Sequence, residues 1–552
     1  MLVHPEPTTA PAASEAAATG RRRSGRRWRA DLAVLLGLLA LVPVVHSIGP
    51  TLRTPFWLDE SWVAMSMRGS LGEAFDVTGP TPIGWTLLMR LIPGDGDGGE
   101  RLRLLPAAFL AGSVVAGYAL GRLLGWQRRA YAVVAGLMGA AGALLLPAQQ
   151  VRHDLKQYTA DGAVAVALLA LAAWAEARWS WRRLTTVAGC ALLAMFVSHT
   201  ALLVGGGVLG AFVVVALVRR AWRDLLKAAT VAVGGWLAMG VTYLTVSSKG
   251  QIESLEAYWD GYFLNFGDTV SLPDYLVNRL DGLGDLFGVP WPAFAVLALA
   301  GVVTMAVTGR LVAALATAAL PVGMVVAGYL HAYPVLDQRT SHFLLVSMAV
   351  SAGIGVAGAA RLVARLIRRW QVATTTVLAG ATVLAFVLAN TAWLRYYAPP
   401  GIYPRHPQTF AVGAMRYDVR DQVRYVERNR RPGDAVVVSA WANFGFAYYW
   451  QPDEPTFVRD ERFGNGWGTR YDEEATRIVV ATDRTRPAIR QALDRAAQLA
   501  GPGGRVWIVR THLARLEVFA WDAMLRGRQV TWLDVGPEPL GLLTVPAGAS
   551  PG

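Results

Sequence analysis

Eleven apolar runs, each approaching the roughly 20 residues a helix needs to cross a hydrocarbon core, constrain this chain more than any other feature. They lie at 32–48, 105–121, 130–147, 161–177, 184–199, 200–218, 228–246, 291–308, 311–330, 343–360 and 373–391. Inside a bilayer such runs satisfy their backbone groups as helices. Only 16% of the residues are charged and 54% are hydrophobic, which excludes an ordinary soluble enzyme and a disordered chain. The stretch 184–218 could be one long tilted helix, but Ser198-His199-Thr200 in its middle suggests a tight hairpin. A single cysteine, Cys190, excludes a disulfide framework and a Cys-based zinc site.

The expected fold is therefore a polytopic α-helical membrane protein of about 11 transmembrane helices. Residues 1–30, with Arg21-Arg22-Arg23 and Arg26-Arg27, read as a disordered basic cytoplasmic tail, and 31–391 as the multi-pass domain. With the N-terminus inside, the inner segments hold 21 Lys and Arg and the outer loops 10, the asymmetry of the positive-inside rule. The net charge of +13, from 49 Arg and 3 Lys, is thus read as topology, and no nucleic-acid partner is expected. An odd number of spans puts 392–552 outside. There, β-branched runs at Ala435–Ser439, Ile478–Ala481 and Val506–Val509 alternate with helical patterns near 486–499 and 512–526. That alternation predicts a C-terminal extracytoplasmic α/β domain. Gly501-Pro502-Gly503-Gly504 reads as a turn rather than a nucleotide loop.

Chemistry-bearing residues concentrate in the outer loops. The first, about 50–104, carries Asp59-Glu60 among Phe56, Trp57 and Trp62. Two adjacent carboxylates beside a low-dielectric surface repel each other and raise at least one pKa, which is how a general base is made. A solvated acid pair is the other reading. Thr86–Ile92 is too short to span and reads as a helix lying on the outer surface. The second loop runs Gln149 to Asp161. If helical, it puts Asp154, Tyr158 and Asp161 on one face and Arg152 and Lys156 on another, one for a hydroxyl or metal and one for phosphate. The alternative is a polar collar at the interface. In the third, His331–His342, Arg339 is the best phosphate ligand on the outer side, unless it snorkels to lipid headgroups. His199 lies between two spans, where a satisfied core histidine is the competing reading. The aromatics and acids of 247–290 suit either sugar stacking or an aromatic belt, and Tyr448-Tyr449-Trp450 reads as domain core. No metal-ligand spacing is evident, so neither a metal nor another cofactor is expected.

Taken together, Leu58-Asp59-Glu60 after one span, Pro80-Thr81-Pro82-Ile83-Gly84, and Arg101-Leu102-Arg103-Leu104-Leu105-Pro106 before the next resemble the GT-C class of polyprenyl-phosphate-sugar glycosyltransferases. That class includes the protein O-mannosyltransferases and the aminoarabinose lipid A transferases. Lys156-Gln157-Tyr158-Thr159-Ala160-Asp161 and Tyr333-Pro334 through Arg339 are similar to an actinobacterial branch of it. The resemblance spans about 30–400. It implies a lipid-linked sugar donor, a glycan, lipid or protein acceptor, and a reaction on the outer face of the cell membrane, with membrane lipids as further partners. It makes Asp59 the base, with Glu60 beside it, and gives the donor phosphate to Arg152, Lys156 and Arg339. Tyr158, Asp161, His199 and Tyr333 complete the expected substrate-binding set. The chain departs from the family where related transferases commonly carry two adjacent prolines (here Pro80-Thr81-Pro82), and at Gly79, where a basic residue or His often stands. Two other functions remain open on the sequence: a transporter or lipid flippase, and an inactive relative that binds wall polymer. The near-absence of charge in the spans weighs against a transport pathway.

Overall fold

In the computed structural model the described residues are 12–79, 81–92, 99–147, 151, 154–247, 259–264, 271–287, 289–367, 370–389, 418–463, 466–513, 515–536 and 539–547. Each of the eleven apolar runs is helical over most of its described residues. Six helices are long and apolar enough to cross a membrane: Glu100–Arg122, Tyr158–Glu176, Ala201–Val218, Trp222–Val246, Leu311–Tyr329 and His342–Ala364. Three further apolar helices, Arg129–Leu145, Trp291–Val307 and Gln371–Ala385, are shorter. By length and composition among the described residues the number is six, against the eleven expected. The stretch 184–218 is two helices, Trp181–Ala194 and Ala201–Val218, with Ser198-His199-Thr200 at the turn between them. The first helix runs Ala12–Val45 and takes in much of the segment expected to be disordered, because its Ala-rich start continues without a break into the first apolar run.

Small residues let these helices approach closely, the usual basis of packing in lipid. Leu104–Arg122 and Arg129–Leu145 meet at Gly117 and Gly139, where a Cβ on Gly139 would stand 2.6 Å from the Gly117 carbonyl oxygen. Tyr158–Glu176 and His342–Ala364 are the most buried of the six. The loops that lead into both lie on one side of the bundle, together with the helices Leu58–Ser66, Leu71–Val77 and Ile83–Arg90. The helix Ile83–Arg90 overlaps the short one expected near Thr86–Ile92.

The described C-terminal residues, 418–547, form a five-stranded sheet in the order β4-β1-β5-β7-β6. Strands β1 (Ala435–Val438), β4 (Ile478–Val480) and β5 (Arg505–Val509) are parallel, as the alternating pattern predicts. Antiparallel β6 (Gln529–Leu533) and β7 (Leu540–Thr544) extend the sheet, and β2 (Thr456–Arg459) pairs with β3 (Trp467–Arg470) in a separate ribbon. Successive residues of a strand point to opposite faces. Ala435, Val437, Val506 and Ile508 therefore pack on the helices Arg486–Ala500 and Arg515–Leu525 through Ile489, Leu493 and Trp521. Val436, Val438, Trp507 and Val509 face the other way, into a core shared with Phe56, Trp62, Val63 and Trp85 of the segment that follows the first helix. Tyr448 and Trp450, expected as domain core, are buried in that same cluster.

Candidate active site

The helix Leu58–Ser66 lies between the bundle and the sheet and presents Asp59 and Glu60 to different surroundings. Neighbouring helical positions point about 100° apart, so the two carboxylates do not share a site. Glu60 is fully buried and faces Arg103. Arg103 Nε donates to Glu60 Oε1 at 2.6 Å and Nη2 donates to Oε2. The remaining guanidinium hydrogens go to the carbonyls of Thr51 and Thr54, at 2.5 Å each, and of Pro55, at 3.0 Å. All five donors of the guanidinium are thereby used. Burial pushes the Glu60 carboxyl up to about 7, with Arg103 opposing it. The raised pKa expected of the pair thus falls on Glu60, and its main cause is burial rather than repulsion by Asp59.

Asp59 turns toward the bundle. Its Oδ2 lies 3.1 Å from Lys156 Nζ and 3.1 Å from Arg339 Nη1, so residues 97 and 280 positions away close on one oxygen. Burial raises the Asp59 carboxyl, but Lys156 first and Arg339 next outweigh it, and the group stays below the ordinary carboxylate range. Both cations are in turn held above their ordinary values, chiefly by Asp59 for Lys156 and by Tyr158 and Asp59 for Arg339, despite their burial. The three side chains remain 22%, 19% and 15% exposed, against 0% and 1% for Glu60 and Arg103. The Asp59 cluster therefore opens to its surroundings where the Glu60 cluster is closed.

Supports from each loop fix this triad. Trp85 is fully buried and its Nε1 donates to the Leu155 carbonyl at 2.7 Å, pinning the chain next to Lys156. Trp85 in turn is set by Gly84, whose place allows only hydrogen: a Cβ there would stand 2.5 Å from the Phe196 carbonyl oxygen. That is the structural reason for the glycine that ends Pro80-Thr81-Pro82-Ile83-Gly84; Pro80 itself lies outside the described residues. Around Arg339, Asp337 Oδ1 accepts from the backbone N–H groups of Arg339 and Thr340 at 3.0 Å each, an Asx turn that tightens the hairpin. Tyr333 spans the same hairpin, its hydroxyl donating to the Thr340 carbonyl at 2.9 Å. Trp62 lies under Lys156 at 5.2 Å and Trp259 beside Arg339 at 5.9 Å, two aromatic walls on a cationic pocket.

The second loop differs from the expected helix. The helix begins at Tyr158, and residues 154–157 precede it without helical backbone. Asp154, Tyr158 and Asp161 consequently do not line one face as a set. Asp154 instead turns back, its Oδ1 accepting from the Lys156 N–H at 3.1 Å and its Oδ2 3.9 Å from Arg339 Nη1. Burial raises the Asp154 carboxyl, and the Asp59 charge adds to that. Asp161 is fully buried, and its Oδ1 accepts from Ser198 at 2.5 Å and from Thr200 at 3.3 Å. His199, between those two hydroxyls, is half-buried at the turn. Tyr158 is buried near Leu110 and Val151. Arg152 lies outside the described residues. Asp59, Lys156 and Arg339 are thus brought together, Tyr333 braces one of them, and Glu60, Asp161 and His199 stand apart. Asp337, Trp85 and Arg103 were missing from the expected site, and Asp154 was expected only as part of a helical face; Arg103 does belong to a quoted motif, and Trp85 directly follows one. Among the described residues no group of three or more His, Cys, Asp or Glu side chains gathers as metal ligands would.

No protein-family model matches the sequence, and no curated protein matches it significantly. Solved structures do resemble the fold. ArnT from Cupriavidus metallidurans superimposes with a TM-score of 0.53 over 95% of this chain and 100% of that one, at 14% identity. The archaeal oligosaccharyltransferase AglB from Archaeoglobus fulgidus, in complex with an inhibitory peptide and a dolichol-phosphate, gives 0.48 over 86% of this chain and 69% of that one, at 12% identity. The arabinofuranosyltransferase AftD from Mycobacteria gives 0.46 over 96% of this chain and 40% of that one, at 15% identity. At such identities a likeness establishes fold and nothing finer, and only the ArnT superposition extends far enough to argue from. This chain is a polytopic helical membrane protein with the GT-C fold, which it shares with ArnT along nearly its whole length.

Proposed function

We propose that the protein is a membrane glycosyltransferase that moves a sugar from a polyprenyl-phosphate donor to an extracytoplasmic acceptor, with Asp59 as general base. The acceptor is a glycan, lipid or protein hydroxyl of the cell envelope. The observation that carries this reading is the placement of Lys156 and Arg339 at 3.1 Å on the same oxygen of Asp59. Two cations on a carboxylate in an aromatic-walled, partly open pocket form a site for a phosphate ester with the base already beside it. In the resting arrangement Asp59 occupies the place a donor phosphate would take, and its basicity is suppressed.

A donor phosphate that engages Lys156 and Arg339 draws them from Asp59. Burial then raises the freed carboxylate toward the pKa a base needs, so donor binding switches the base on. The acceptor oxygen attacks the anomeric carbon, the bond from that carbon to the phosphate oxygen breaks, and Asp59 takes the hydroxyl proton. The departing lipid phosphate keeps the electron pair, and Lys156 and Arg339 stabilise its added charge. Asp337 and Tyr333 hold the Arg339 hairpin, and Trp85 holds the Lys156 loop; these act by positioning.

The same reading places the N-terminus in the cytoplasm and 392–552 outside, consistent with the charge asymmetry. A reporter active only outside, fused after Gly552, tests that orientation, and activity restricted to the cytoplasm would sink the reading. The reaction is tested by incubating membranes with a panel of radiolabelled polyprenyl-phosphate sugars. Transfer from at least one donor is expected with the wild-type chain and not with Asp59→Asn. No release of sugar from any donor would refute it.

A further inference from the structure

The C-terminal sheet has a switch-point crevice of its own, between the carboxyl ends of β1 and β5, within electrostatic reach of Asp59. The chain leaves β1, forms β4 on one side of it, and then crosses to β5 on the other. In open parallel sheets, the carboxyl ends of the two strands flanking such a reversal are where ligands bind, because the connections part there. Here those ends carry Ser439-Ala440-Trp441 after β1 and Arg510-Thr511-His512 after β5. The rings of Trp441 and His512 face each other edge-on at 6.1 Å across the gap, and the Arg484 guanidinium, just beyond β4, lies 5.1 Å from the Trp441 ring.

The contents of the crevice are unusually polar for a buried place. Trp441 Nε1 and the hydroxyls of Ser439 and Thr511 are all shielded from solvent without a hydrogen-bond partner, a costly state that a ligand with oxygen acceptors would relieve. His512 adopts a left-handed backbone conformation, φ 55°, uncommon for a residue with a side chain. Burial holds its imidazole below the ordinary value, with the Asp59 carboxylate pulling the other way. His512 is therefore a neutral hydrogen-bonding group within electrostatic reach of the base. The link to Asp59 is also mechanical. The helix Asn443–Tyr449 follows Trp441 directly and packs on Leu58–Ser66, with Gly445 against Ser61.

We propose that Trp441, Arg484 and His512 form a saccharide-binding subsite at the carboxyl ends of β1, β4 and β5, which presents a hydroxyl of its ligand to Asp59. An indole with a spare N–H, a guanidinium and a neutral imidazole recognise an oxygen-rich ring by stacking and donated hydrogen bonds. The subsite gives the acceptor of the proposed transfer its chemical class, and in that sense it rests on that reading.

Saccharide binding is the test, read by saturation-transfer NMR on the purified full-length protein in lipid nanodiscs without donor. The probes are trisaccharides of mannose, galactose and arabinose. Wild type is expected to bind at least one of them. Trp441→Ala and His512→Ala should each weaken that binding about tenfold or more. Arg495→Ala, whose ion pairs with Glu473 and Glu474 lie before the amino end of β4 and so at the other end of the strands, should leave it unchanged. Trp441→Phe keeps an aromatic ring but loses the N–H and part of the stacking face, so it should fall between, and thermal melting identifies any variant that has not folded. A wild type that binds none of the three, or folded Trp441→Phe and His512→Ala proteins that bind as wild type does, overturns the subsite. Failure of the transferase reading is visible separately, as a protein that binds saccharide through these residues yet releases sugar from no lipid-linked donor.

Discussion

Two ionic clusters stand on either side of the helix Leu58–Ser66, built from the same kinds of residue and differing in one respect. Around Glu60, every donor of Arg103 has an acceptor and nothing is exposed. Around Asp59, two cations share one oxygen, Asp154 Oδ2 lies 3.9 Å from the nearest of them, and the group is partly open. A saturated buried pair holds structure. A partly open one leaves room for a ligand, and on the proposed reading the consecutive carboxylates of one motif take different roles.

That contrast can be broken by substitution. Asp59→Asn keeps the shape and loses the proton acceptor, so transfer should fall by about 10²–10⁴ in rate with donor binding retained. Transfer by purified Asp59→Asn at the wild-type rate would dissolve the distinction. Glu60→Gln should act on stability instead. Leaving Arg103 buried without its counter-charge costs about 3–5 kcal/mol, seen as a lowered melting temperature, while the molecules that remain folded keep their turnover. Rapid melting of Asp59→Asn together with an unaltered Glu60→Gln would reverse the assignment.

Two smaller effects sharpen it. A charge-assisted contact to phosphate contributes about 1.5–3 kcal/mol, so Arg339→Ala should weaken apparent donor affinity roughly ten- to a hundredfold, measured by titrating the donor. Lys156→Met removes the largest force holding the Asp59 carboxyl down. The carboxyl then rises, and the acid limb of donor-free stability should move to higher pH. In the wild type the same ion pairs add stability that is full above the ordinary carboxylate value of 3.8 and is lost as pH falls through the lowered one. Melting curves across acid pH read both limbs, and coincident limbs would show that Lys156 does not set the Asp59 charge.

The sequence exposed the helices through apolar length and the three parallel strands through β-branched alternation, because both are local patterns. It marked Asp59 as one of two adjacent acids among aromatics, and Lys156 and Arg339 as cations of the expected outer loops, while the resemblance supplied their roles. Local pattern could not settle where a helix begins. Treating 152–161 as helical joined Asp154 to Asp161, whereas the Trp85–Leu155 contact holds 154–157 out of the helix and sends the two acids to separate places. Nor does spacing reveal that Glu60 meets Arg103, 43 positions on, or that His512 comes within electrostatic reach of Asp59. Such pairings depend on how the sheet docks on the first loop, a matter of tertiary packing. The antiparallel strands β6 and β7 escaped notice for a related reason. β6 is largely exposed, so it lacks a hydrophobic run.

The core shared by Phe56, Trp62 and Trp85 with Val419, Val436, Trp507 and Leu540 has a consequence for biogenesis. The Phe56 N–H waits for the Tyr449 hydroxyl, 393 positions later, and the Arg68 guanidinium for the Tyr448 carbonyl, 380 later. Contacts of such separation form late, after the loop-closure entropy has been met. A ribosome that has delivered all eleven apolar runs has therefore not yet delivered the partner of the Asp59 helix. Until the last strands arrive, the nascent chain exposes a row of aromatic side chains, a surface that chaperones and proteases can read as unfinished.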